Sequence, residues 1–117
     1  MKRLAPIHPG EVLLEDFMNP NGLTPYRVAK DIGVPAMRIN QIVKGERGIS
    51  ADTALRLARY FGTSAEVWVR MQARYELELA QTKLERTIGK EVKIFRAALR
   101  PPSFTSALVA LRIRLRQ

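Results

Sequence analysis

The sequence predicts an all-α protein: five short helices in one compact domain, followed by a basic C-terminal extension. Three observations carry this. Apolar residues recur three and four positions apart through residue 81, the spacing of helices with one buried face. Glycines at 22, 33, 45 and 62 punctuate that pattern at the ends of its segments. No stretch before residue 82 alternates with the period of a strand. At 117 residues and 46% hydrophobic content, the chain has room for one core and an appendage.

The first helix is expected from His8 or Pro9 to about Met18. Pro9 suits a first turn, where its missing N–H is not needed, and Glu11 lies near the positive end of the helix dipole. Val12, Leu13, Phe17 and Met18 are its core face, and Asn19-Pro20-Asn21-Gly22 breaks it. Thr24 caps the second helix with Pro25 at its first position. Tyr26, Val28, Ala29 and Ile32 form its apolar side; Ala29 is small enough for a neighbouring helix to cross closely. Gly33 supplies the left-handed conformation that ends a helix cheaply, and Val34 plugs the turn into the core.

The third helix is expected from Pro35 to about Lys44, with Ile39, Ile42 and Val43 inward. Met37, Arg38, Asn40, Gln41 and Lys44 remain for its outer side, and Gly45 ends it. Ser50 caps the fourth helix; Leu55, Leu57, Ala58 and Phe61 carry its buried face and Gly62 stops it. The fifth starts after Ser64 and runs to about Ala80, with Val67, Trp68, Met71, Tyr75, Leu77 and Leu79 on its apolar faces. Trp68 reads as core or dimer-interface packing rather than a stacking platform, and Tyr75 likewise, with its hydroxyl toward the surface.

Charge divides the chain. Residues 1–81 carry 11 Lys+Arg and 9 Asp+Glu; residues 82–117 carry 9 and 2. The formal total of +9 favours polyanionic partners. The expected organisation is a domain over 1–82 and a basic extension over 83–117. In the extension, Lys83–Ile88 continues the fifth helix or not, Gly89 interrupts it, and Glu91–Leu99 forms a short further helix ended by Pro101-Pro102. Residues 110–116 alternate apolar and basic, which is a strand period. A lone strand has nothing to pair with in a helical domain. The extension is therefore either a solvated end, a nucleic-acid arm or a segment that pairs with another chain.

The second and third helices with their tight turn make a helix-turn-helix, which presents its second helix to the DNA major groove. Asn and Gln bond adenine in a bidentate way, and Arg does so with guanine. Arg38, Asn40 and Gln41 supply those groups, Lys44 lies a turn later, and Ala36 and Met37 suit thymine methyls. Arg27, Lys30 and Arg47 flank this face and suit phosphates.

Other chemistries lack residues. There is no cysteine, so disulfides and thiolate chemistry are excluded, which fits a reducing cytoplasm. His8 is the one histidine and reads as a helix-entry residue, because zinc wants three or four ligands; no cofactor or metal is expected. No nucleophile elbow or glycine-rich phosphate loop is present, which argues against an enzyme. No apolar run reaches the roughly 20 residues of a membrane span, and no signal peptide is evident at the N-terminus.

Several ordered strings resemble the HigA-type antitoxins, Cro/C1-type (Xre-like, lambda-repressor-like) helix-turn-helix proteins of bacterial toxin–antitoxin modules. They are Ile7-His8-Pro9-Gly10-Glu11, Ala29 through Gly33, and Ile39 through Gly45 with Arg47. Ile49 through Ala58 and Phe61 through Trp68 complete the set, which spans residues 6–82 in one register. The resemblance implies a homodimer that binds a palindromic operator, represses its own promoter and neutralises a small RelE/HigB-like ribonuclease. It places DNA reading at Ala36, Met37, Arg38, Asn40, Gln41 and Lys44, with Pro25, Tyr26 and Arg27 against phosphate. A stand-alone regulator without a toxin is the second reading. An RNA- or ribosome-associated protein acting through its basic tail is the third.

Overall fold

The computed structural model describes residues 5–96 and 111–115, and among them every regular element is helical. Helix α1 (Pro9–Val12) continues without a break into a π-helical segment, Leu13–Met18, and a 3₁₀ turn, Asn19–Asn21. Then follow α2 (Pro25–Ile32), α3 (Ala36–Val43), α4 (Ala51–Phe61) and α5 (Ala65–Glu91). The chain falls into two units, Met1–Glu85 and Arg86–Gln117.

Local chemistry explains the boundaries. Thr24 Oγ1 accepts from the Arg27 N–H and Ser50 Oγ from the Thr53 N–H, each satisfying a free donor of a first helical turn. Gly33 (φ 76°) and Gly62 (φ 73°) close α2 and α4 in the left-handed region. The π-helical segment has a core rationale. Its wider turn brings Leu13 and Met18, five positions apart, to one buried face.

The core joins these two residues to Val28 and Ala29 of α2, Ile39 and Ile42 of α3, Ala54 and Leu57 of α4, and Trp68 of α5. Phe17 and Phe61 lean on it, with Phe17 5.2 Å from the Trp68 ring. Trp68 Nε1 donates to Thr63 Oγ1 at 2.8 Å, so the buried indole has no orphan donor.

Several expectations need correction. Tyr26 is 68% exposed and Leu55 63% exposed, so neither belongs to the core. Ala54 and Thr53 take the buried face of α4 instead. Val67, Leu77 and Leu79 are also exposed. Gly89 does not interrupt α5, because a glycine in a solvated helix costs only about 1 kcal/mol relative to alanine. Residues 92–96 are not helical, and 97–99 lie outside the described residues, so the short helix over Glu91–Leu99 is not found. Residues 111–115 are helical rather than extended; Ala110 and Arg116 lie outside the described residues. No strand lies among the described residues to pair with that period-two pattern.

Candidate nucleic-acid interface

Helices α2 and α3 enclose the turn Gly33–Pro35, and Val34 anchors it by donating its N–H to the Ala29 carbonyl. Pro35 is the N-cap of α3 rather than its first residue, and Lys44 is the C-cap. Ile39 and Ile42 are fully buried, which fixes the rotation of α3 about its axis.

That rotation sorts the expected reading residues. Met37, Asn40 and Lys44 are exposed, Met37 at 68%. Ala36, Arg38 and Gln41 are half-buried. Asn40 Nδ2 donates to the Ala36 carbonyl at 3.1 Å, at an exposed position. Gln41 Oε1 accepts from Arg47 Nη1 at 3.3 Å, so the loop after α3 brings Arg47 to the same face. Arg38 Nη1 donates to Asp52 Oδ2 in the first turn of α4 at 3.2 Å.

At the start of α2, Pro25 is half-buried and Tyr26 projects outward. Arg27 Nε donates to Asp31 Oδ2 at 2.7 Å, and the Tyr60 hydroxyl donates to the same oxygen. The Tyr60 hydrogen bond, then Arg27, hold the Asp31 carboxyl below its usual range. The hydrogen bond to Asp31 in turn raises the pKa values of Tyr60 and Arg27. Asp31 thus keeps Arg27 beside α2 with its side chain 63% exposed. Lys30 is exposed on the same helix.

Sequence reasoning missed three contributors. Asp31 and Asp52 look in the sequence like helix-surface or capping charges, although Arg27–Asp31 and Asp52–Arg56 have the four-residue spacing that signals a helical ion pair. Gln72 gave no signal. It is buried on α5, and its Oε1 accepts from the Ile49 N–H at 2.8 Å, pinning the end of the loop that carries Arg47. Among the described residues no group of three or more His, Asp or Glu is arranged to hold a metal. No described helix is long and apolar enough to cross a membrane.

A tight two-helix hinge anchored by half-buried Val34, a short second helix with polar groups outward, and flanking cations define a helix-turn-helix protein of the DNA-binding class. A helix-turn-helix family model matches residues 14–68. Virulence-associated protein I of Dichelobacter nodosus is 52% identical over 75 residues, 64% of this chain and 69% of that protein. The solved structure of Pseudomonas aeruginosa antitoxin HigA with the higBA promoter is similar at 41% identity and a TM-score of 0.76. That match covers 78% of this chain and 99% of the other. A HigA-family addiction-module antidote protein from Coxiella burnetii is 40% identical, with a TM-score of 0.74 and 79% and 100% of the two chains covered. The chain belongs to the HigA family of Cro/C1-type helix-turn-helix antitoxins.

Proposed function

We propose that this protein is a dimeric operator-binding antitoxin that represses its own operon and neutralises a small RelE/HigB-like ribonuclease in the cytoplasm. The observation that carries the reading is the solvent-facing side of α3, with Met37, Asn40 and Lys44 exposed and Arg47 hydrogen-bonded to Gln41 beside them. The P. aeruginosa HigA structure, at 41% identity, holds the higBA promoter.

Ala36, Met37, Arg38, Asn40 and Gln41 meet base edges in the major groove, Met37 and Ala36 through thymine methyls. Lys44, Arg47, Arg27 and Lys30 meet phosphates, as do the Tyr26 N–H and hydroxyl, with the Pro25 ring packed beside them. Two copies of α3 about 34–36 Å apart would enter successive major grooves of a palindrome. The groove between α4 and α5 suits the second copy. It is lined by Ala51, Leu55, Ala65, Glu66, Val69 and Arg70. A twofold axis there would bury Leu55 and Val69, exposed in one copy, against the same residues of the other.

The test expresses the small open reading frame next to this gene, with and without this protein. Growth arrest relieved by this protein is the expected result. A harmless neighbour, or an arrest that persists, would remove the toxin and leave a stand-alone operator-binding regulator.

A further inference from the structure

Asp52 takes two arginines. Arg38 Nη1 reaches Asp52 Oδ2 at 3.2 Å across fourteen residues of sequence, from α3 to α4. Arg56, one turn along α4, donates its Nε to both carboxylate oxygens at 3.1 and 3.2 Å. The two arginines are not held alike. Arg56 Nη1 also donates to the Ile32 carbonyl at 2.8 Å and lies 3.4 Å from the Gly33 carbonyl, so the helix-turn-helix hinge holds it independently. Among the described residues, Asp52 is the one hydrogen-bond partner of the Arg38 guanidinium, whose side chain is 27% exposed.

A free arginine on a reading helix binds any phosphate within reach and adds sequence-independent affinity. An arginine already paired with a carboxylate gains little by exchanging it for a screened phosphate. The carboxylate cancels much of its charge, which weakens its attraction to phosphate more than its hydrogen bonding to a neutral guanine edge, whose O6 and N7 accept two parallel bonds. We infer that Asp52 is a specificity-determining residue, which withholds Arg38 from phosphates and yields it to a guanine. This rests on the reading of α3 as the DNA-reading helix.

The probes are the duplex that the wild-type protein enriches from a random library and a shuffled duplex of equal composition, titrated by fluorescence anisotropy over a salt series. One added phosphate contact steepens the salt slope by about 0.9 and, near physiological salt, strengthens binding about fivefold. Asp52→Asn should therefore bind the shuffled duplex about fivefold more tightly with a steeper slope, while Asp52→Glu keeps the wild-type ratio. In the Arg38→Ala background the gain from Asp52→Asn should vanish. A gain that persists there would mean that Asp52 merely repels phosphates through space, and would overturn the inference. So would an unchanged shuffled-duplex affinity in a folded Asp52→Asn.

Arg38→Ala alone decides the matter if Asp52→Asn does not fold. It should weaken the enriched duplex about tenfold or more and the shuffled duplex far less. An equal loss on both duplexes would overturn the inference. Failure of the underlying reading looks different: the library yields no enriched duplex, or Met37 and Gln41 variants bind it as wild type does.

Discussion

The backbone of Gly10 meets the backbone of Ile42 so closely that a Cβ on Gly10 would lie 1.7 Å from the Ile42 carbonyl oxygen and 2.6 Å from its carbon. Neither atom belongs to a side chain that can swing aside. The same carbonyl accepts the Gly45 N–H at 3.0 Å, where α3 ends. The entry to α1 is thus seated on the end of α3. Gly10→Ala must push α1 off α3, at or beyond the upper end of the 1–3 kcal/mol that overpacking costs, about 3 kcal/mol. A fall in melting temperature on the order of 10 °C should follow. An unchanged thermal melt would disprove so close an approach.

His8 makes the first turn of α1 pH-sensitive. Its Nδ1 accepts from the Gly10 N–H at 2.9 Å, so the ring is neutral with its proton on Nε2. It packs edge-on against Tyr75, with centroids 4.7 Å apart. Burial pushes its pKa below the ordinary 6.5, against a smaller opposing effect of the Arg47 backbone. The unfolded chain therefore takes up the proton first. The His8 contribution is complete above pH about 6.5 and is lost as pH falls through the depressed folded value. Urea midpoints should decline below pH about 6.5, above the carboxylate range. His8→Asn, which keeps a capping acceptor, should remove that decline; a decline that survives would assign it to another group.

Gln72 holds the loop between α3 and α4 from behind. Its Nε2 donates to Glu76 Oε1 at 3.0 Å while its Oε1 receives the buried Ile49 N–H. Gln72→Ala strands that N–H, a cost of about 1–3 kcal/mol. Hydrogen exchange at the Ile49 amide should accelerate by more than at α2 amides. Uniform acceleration would make Gln72 a general core residue rather than a loop anchor.

Leu55 and Val69 are exposed apolar residues that line one groove. If this face receives the second copy, Leu55→Asp should give a monomer by sedimentation and weaken operator binding more than single-site DNA contact. A dimer that persists would move the interface elsewhere.

How much of this was legible follows from how local each feature is. Thr24, Gly33, Ser50 and Gly62 act within one helical turn, so the sequence marked the ends of α2 and α4 closely. Tyr26 and Leu55 were misplaced because a short amphipathic helix has apolar residues at its edge, and spacing alone does not say which side of the edge is wet. Gly89 was read as a break, but a solvated helix tolerates it. On α3, the exposure of Met37, Asn40 and Lys44 is legible from their offset from Ile39 and Ile42. The Arg38–Asp52 pair and the Gln72–Ile49 bond are not, since each joins elements that only the folded core brings together.

The basic extension separates the two nucleic-acid readings. Helix α5 runs to Glu91, so a cut after Gln81 would sever it, whereas a cut after Arg96 leaves α1 to α5 whole. Residues 97–117 contain Arg100, Arg112, Arg114 and Arg116 and no acidic residue. Each arginine that reaches a phosphate contributes about 0.9 to the salt slope, and none reads sequence. Removing residues 97–117 should therefore preserve discrimination between the enriched and shuffled duplexes. It should flatten the slope by about one for every arginine engaged, and bring the two affinities down together. Anisotropy titrations of the full and shortened chains over the same salt series measure both. Abolished binding to every duplex, with an unchanged far-UV spectrum, would transfer the nucleic-acid function from α3 to the tail.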